Sequence, residues 1–213
     1  MTSCFHLPAL VLSAWIFRLL LELCLGAIVY VYVGYPVLLI LVGACCRRRN
    51  PDLGCCPSIS VLIAAHNEAA NIGKKIEQTL ALDYPADKLE VIVLSDCSTD
   101  GTDQIVRSFR DRGVRLVQMK KRRGKTSAQN EGIRNARGEI IVFSDATTIY
   151  HPQALRYLAA NYRDRQVGAV TGRNHYFDLD ENSPTGVGST AFWHYENIIK
   201  AMQSRIYTLS GCV

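Results

Sequence analysis

The sequence predicts an α/β fold: a parallel sheet flanked by helices and preceded by a membrane-spanning helix. Three observations predict it. Residues 23–46 carry no formal charge over a length that crosses a bilayer as a helix. Short apolar runs alternate with longer amphipathic ones from residue 58 onward. Side chains capable of chemistry recur just after those apolar runs, where ligands sit in open α/β sheets.

Residues 1–49 form the expected membrane anchor. Residues 7–21 are apolar but are interrupted by Arg18 and followed by Glu22, which reads as an interfacial or partly inserted helix. The span proper is residues 23–46, about 36 Å at 1.5 Å per residue. It lacks the small-residue end of a cleaved signal peptide. Tyr30, Tyr32 and Tyr35 suit a wetted interface or contacts with other spans, and Pro36 is placed to kink the helix. Arg47, Arg48 and Arg49 follow directly, and such a triplet marks the cytoplasmic side, so the rest of the chain is expected in the cytosol. In that reducing compartment the adjacent pairs Cys45–Cys46 and Cys55–Cys56 are free thiols, and neither has the spacing of a zinc knuckle.

Residues 50–57 read as a linker, and residues 58–213 as the second domain. Strands are expected at residues 60–64, 89–94, 114–118, 140–143 and 167–171. Helices are expected at 71–82, 102–112, 125–136 and 152–162, with a further amphipathic helix at 191–207. The local signals are mechanical: Ile72, Ile76, Thr79 and Leu80 recur at helical spacing, Gly113 and Gly138 sit just past helix ends, and Pro152 suits a first turn. Strands joined by right-handed helical crossovers run parallel.

The chain has 213 residues, 48% of them hydrophobic, and a formal net charge of +5. Much of the positive charge lies at Arg47–Arg49 and at Lys120, Lys121, Arg122 and Arg123, which points to a membrane surface and anionic ligands. No basic stripe interleaved with aromatics is present, which argues against a nucleic-acid partner.

Four polar clusters fall at one expected sheet edge: His66, Asn67 and Glu68; Ser95 to Thr102, with Asp96 and Asp100; Gly124 and Lys125, leading to Asn130; and Asp145. Taken singly, Asn67, Ser98, Asp100 and Thr102 are good turn or cap residues. Two acids, a lysine and several hydrogen-bonding side chains converging on one edge ask for a ligand. A nucleotide-sugar diphosphate fits: a carboxylate can accept from a base or ribose, a lysine can screen a diphosphate, and a strand-end aspartate can hold Mg²⁺ or Mn²⁺ through oxygen. Neither a P-loop nor a G-x-G-x-x-G turn is present, which removes the main support for those nucleotide folds.

The runs "ISVLIAAHNEAANI", "LEVIVLSDCSTDGT", "RGKTSAQNEGIRNARGEIIVFSDA" and "VGAVTGR" stand in an order and spacing that resembles the membrane-bound, inverting, processive-type family 2 glycosyltransferases, which have a glycosyltransferase A-type, Rossmann-like fold. The resemblance covers roughly residues 57–207, and the stretch "YVYVGYPVLL" resembles the span that precedes this domain in membrane-bound members. It implies that Ala65, Asn67 and Glu68 line the nucleoside, that Asp96 reads the base, and that Lys125 lies near the diphosphate; Asn130, from the polar cluster that Lys125 opens, is expected in the same nucleotide-sugar site. It implies that Asp145 is the first acid of a metal-binding Asp-x-Asp. Here the second position is Thr147, a neutral ligand, so Mg²⁺ or Mn²⁺ would lean on Asp145, the diphosphate and water.

The resemblance further implies a saccharide or lipid acceptor, polysaccharide synthesis, and an inner cell membrane location. It places the catalytic base beyond Val213, in an acceptor-binding half. Glu196 matches a family glutamate but reads as a helix-surface carboxylate. Two expectations follow for the chain: the donor-binding part of a glycosyltransferase, or a truncated and inactive nucleotide-sugar-binding membrane protein.

Overall fold

A computed structural model of the chain describes residues 6–45, 53–54, 56–172 and 184–206, with side chains from residue 14 in the first stretch and from residue 195 in the last. Arg47–Arg49, most of the linker, Arg173 and the last seven residues lie outside the described residues. The chain divides into two compact units, Met1–Arg49 with Arg173–Val213, and Asn50–Gly172. The division expected at residue 58 groups the C-terminal helix with the sheet; the compact units group it with the apolar helix.

The first unit contains helix α1 (His6–Val29), a π-helical turn (Tyr30–Gly34) and helix α2 (Tyr35–Cys45). Residues 7–21 are therefore not a separate interfacial helix: the helix runs on through Arg18 and Glu22. The reason is local pairing, since these residues are one turn apart and Arg18 Nε donates to Glu22 Oε1 at 2.9 Å. The stretch long and apolar enough to cross a membrane is Ala14–Cys45, longer than the 23–46 expected. Pro36 leaves its mark one turn upstream. A proline crowds the carbonyl four residues before it and has no amide hydrogen to offer it. The π turn loosens the helix there, Tyr35 N donating to Tyr30 O, and the carbonyl of Tyr32 accepts from Tyr195 Oη at 3.4 Å. Tyr195 belongs to the C-terminal helix of this unit, Pro184–Arg205. Farther along, Met202 Sδ would lie 3.2 Å from a Cβ at Gly43, and Gln203 Nε2 donates to Tyr35 Oη at 2.7 Å.

The second unit is built on strands β1 (Ile59–Ala65), β2 (Leu89–Ser95), β3 (Val114–Gln118) and β4 (Ile140–Asp145), all parallel, in the order β3-β2-β1-β4. Helices α3 (Ile72–Leu80), α4 (Thr102–Ser108), α5 (Lys125–Asn135) and α6 (Ala154–Asn161) connect and follow them, and the C-terminal helix becomes α7. The strand period of two sorts the core. Val61, Ile63, Val91 and Val93 pack with Ile72 and Ile76 of α3, Val106 of α4 and Leu155 of α6 on one face. Leu62, Ile92 and Leu94 pack with Ala128 of α5 on the other. Ile63, Ile72, Ile76 and Ile92 are fully buried, each worth about 1.5–3 kcal/mol relative to exposure.

After β3 the chain crosses to the far side of β1, so the order of strands reverses between β1 and β4. In open α/β sheets such a reversal opens a crevice at the carboxyl ends of the strands. The opposite edge is tied shut. Ser60 Oγ donates to Glu90 Oε2 at 2.6 Å, Arg115 Nη1 to Glu90 Oε1 at 2.5 Å, and the backbone of Gly138 to Ser60 Oγ at 2.8 Å. Burial opposes ionisation of Glu90, but bonds from Ser60, the Arg137 amide and Arg115 outweigh it and hold its carboxyl below the usual range. Gly138 is required by space: a Cβ there would sit 2.4 Å from the nitrogen of Ser60.

The strand expected at residues 167–171 does not form. Residues 167–172 are partly or fully exposed and pair with none of the described strands, and a strand exists only by such pairing.

Candidate functional site

The register of the sheet brings the sequence-predicted residues together. Ala64 of β1 stands beside Asp145 of β4, and Ala65 beside Ser95 of β2, so the carboxyl ends of three strands meet. Ala65 is 4% exposed, and its carbonyl accepts from Asp96 N at 2.9 Å. Two loops leave this edge and are welded to each other. Asn67, at φ 56°, turns the chain back; its side chain accepts from Thr99 N at 2.9 Å and its amide donates to Ser98 Oγ at 3.2 Å. Glu68 N donates to Thr102 Oγ1 and Ala69 N to Asp100 Oδ2, both at 2.9 Å. The Glu68 carboxylate accepts from Asn71 Nδ2 at 2.9 Å. Bonds from Thr102 and Ala69 hold Asp100 below the usual carboxylate range. Asn67, Ser98, Asp100 and Thr102 thus form the rigid wall of the site, as their turn and cap chemistry allows.

Asp96 is different. It is 5% exposed, and its carboxylate accepts two backbone bonds, from Arg123 N at 2.9 Å and Gly124 N at 2.8 Å. Gly124 has φ 84°, a left-handed backbone that turns both amides inward. The exposed basic run from Lys120 to Arg123 is thereby folded over the end of β2. A carboxylate has about four acceptor positions, so Asp96 keeps capacity beyond these two bonds. His66 Nδ1 lies 2.7 Å from Asp96 O.

Gly124 leads into α5, whose first residue, Lys125, reaches β4: its Nζ lies 2.7 Å from Asp145 Oδ1, with both side chains about half exposed (53% and 51%). Asp145 is therefore the charged end of a strand and opens to solvent beside a cation. Thr147 is exposed next to it. Among the described residues no three His, Cys, Asp or Glu side chains gather in a metal cage. One half-exposed carboxylate suits an ion that keeps several waters and takes phosphate oxygens, as Mg²⁺ does.

Asn130 is not brought to this cluster. It lies five residues beyond Lys125, about 140° round the helix at 3.6 residues per turn, on exposed surface. Glu196 sits in the other unit, paired with Lys200 Nζ at 2.9 Å one turn on. Cys24, Cys45, Cys56 and Cys97 are free thiols.

Sequence reasoning passed over Lys75 and Tyr150. Lys75 occupies a core position of α3, 2% exposed, donates to Thr148 O at 2.6 Å and stands 3.9 Å from the centre of the Tyr150 ring. A lysine one residue before Ile76, within the apolar stripe of the helix, was the available signal.

Residues 60–212 match the family model of glycosyl transferase family 2. The chain is 37% identical over 123 residues to a Bacillus subtilis protein named "Probable glycosyltransferase YdaM", covering 55% of this chain and 29% of the relative. It is 30% identical over 170 residues to the poly-beta-1,6-N-acetyl-D-glucosamine synthase of Staphylococcus aureus, covering 78% of this chain and 40% of that protein. The chain thus spans less than half the length of these relatives. Among solved structures it is similar to the mannosyltransferase PcManGT of Pyrobaculum calidifontis, in complex with GDP-Man and Mn²⁺. That likeness has a TM-score of 0.65 and 28% identity, and covers 84% of this chain and 50% of the other.

Proposed function

The chain belongs to glycosyl transferase family 2, and on that premise we propose that it is the donor-binding part of a membrane-anchored glycosyltransferase. Such an enzyme passes a sugar from a nucleoside-diphosphate sugar to a polysaccharide or lipid acceptor. The observation that carries the reading is the meeting of Asp96, Lys125 and Asp145 at the strand-order reversal, with Lys125 Nζ 2.7 Å from Asp145. Asp96 sits in the nucleoside end of the crevice and uses its spare acceptor capacity on the base. The ammonium of Lys125 screens the diphosphate. Asp145 anchors Mg²⁺ or Mn²⁺, and a divalent ion there would neutralise the charge that develops on the departing diphosphate.

The solved mannosyltransferase with GDP-Man and Mn²⁺ supports the donor class and the ion. The name of the staphylococcal synthase supports a polysaccharide product. The apolar stretch Ala14–Cys45 supports anchoring, and the Arg47–Arg49 triplet supports a cytosolic face.

The test is a Mn²⁺ titration of the chain with uridine diphosphate present, followed by the paramagnetic signal. The parent is expected to bind the ion weakly alone and more tightly with the nucleotide, and Asp145→Asn to lose that binding. If Asp145→Asn binds Mn²⁺ as the parent does, Asp145 is a cap of the following turn and the reading fails.

A further inference from the structure

Lysine is almost never fully buried without a partner, and Lys75 is 2% exposed on α3, among Ile72, Ile76 and the sheet. Among the described residues no carboxylate lies within ion-pairing distance of it. Its partners are all in one short segment, the turn that follows Asp145. Nζ donates to Thr148 O at 2.6 Å and faces the Tyr150 ring at 3.9 Å. That segment holds itself as well: Thr148 N donates to Asp145 O at 3.3 Å, and Tyr150 Oη to Phe143 O at 3.3 Å. An apolar side chain would fill the same space without the desolvation cost of an ammonium. What it could not supply is a directional bond to Thr148 O and attraction to the ring face.

Resting on the functional reading above, we infer that Lys75 is the positioning residue of the ion and diphosphate site. From behind the sheet edge it pins the turn 146–150 and so fixes where the Asp145 carboxylate points. It touches neither nucleotide nor ion. Burial lowers its pKa to about 8, and the charge of Asp145 opposes that fall, so the two groups feel each other across the turn. Lys125 and Lys75 then divide the work on Asp145: one contacts the carboxylate in the crevice, the other holds its backbone from inside the fold.

The experiment uses the whole chain in detergent and two variants, Lys75→Met and Lys75→Arg. Mn²⁺ binding with uridine diphosphate is read by the paramagnetic signal, and hydrogen exchange is read at the amides of residues 146–150. Lys75→Met is expected to weaken Mn²⁺ binding at least tenfold and to speed exchange in that turn, with Lys75→Arg restoring most of both. A merely electrostatic lysine gives the opposite sign, because removing a cation near Asp145 would tighten ion binding. Unchanged or tighter binding in folded Lys75→Met overturns the inference. If that variant does not fold, Tyr150→Leu, which removes the ring and keeps the lysine, is expected to speed exchange at 146–150 and weaken Mn²⁺ binding; no change in either overturns it. Should the parent itself bind no Mn²⁺, the functional reading fails, and exchange alone decides the role of Lys75: rates at 146–150 unaltered in Lys75→Met overturn it.

Discussion

Replacing Asp96 by asparagine keeps the shape of the side chain and removes one acceptor. In the parent the two carboxylate oxygens accept from Arg123 N at 2.9 Å and Gly124 N at 2.8 Å, at a position 5% exposed. A bond to a charged group is worth about 1.5–3 kcal/mol. The carboxamide of the Asp96→Asn variant can serve only one of the two donors, and its own NH₂ then faces the other. One bond is lost outright, so opening of the loop becomes easier by about 1.5–3 kcal/mol, roughly a 10- to 150-fold faster exchange of the orphaned amide. Hydrogen exchange resolved at Arg123 and Gly124 measures this directly, and uridine diphosphate titration measures the consequence for the nucleoside end of the crevice. Equal exchange at both amides in parent and variant would refute the account, since the carboxylate would then not hold the loop.

Three further expectations can be checked. Gly138→Ala places a Cβ against the backbone of Ser60 and Ile59; it should destabilise the sheet unit by about 1–3 kcal/mol, the range for overpacking, in chemical denaturation. Glu90 has a folded pKa below its unfolded 4.5, so its contribution is present above that value and is lost as pH falls through the folded pKa. Glu90→Gln should therefore flatten the acid limb of the stability curve, read by circular dichroism from pH 5 downward. Lys125→Met removes an ammonium from Asp145 at a half-exposed pair, so stability should change by less than about 1 kcal/mol. Metal binding in the absence of nucleotide should tighten several-fold in the same variant, and unaltered Mn²⁺ affinity would show that lysine and ion do not compete for Asp145.

Much of the fold was legible because its signals are local. The apolar runs placed all four strands within two residues of their observed ends, β3 at its observed ends, since the inward positions of a strand are apolar even where, as at Arg115 and Gln118 of β3, the others are not. The expected order of polar clusters after strands put Ala65, Asp96, Lys125 and Asp145 at one edge for the same reason. Where a signal depended on a partner it failed. Residues 167–171 look strand-like, yet a strand exists only by pairing, and none of the described strands pairs with them. Arg18 and Glu22 looked like a break because composition counts charges singly, whereas the helix pairs them.

The sequence by itself determined the strands, the helices between them, the apolar stretch and the residue types gathered at the sheet edge, because hydrophobic period and turn chemistry act over a few neighbouring residues. Tertiary structure alone decided that Asp96 closes a loop 27 residues away and that Lys75 reaches Thr148 across 73 residues. Those facts are distances between segments far apart in the chain, and a distance of that kind is set only when the sheet register and the helix packing bring the segments together.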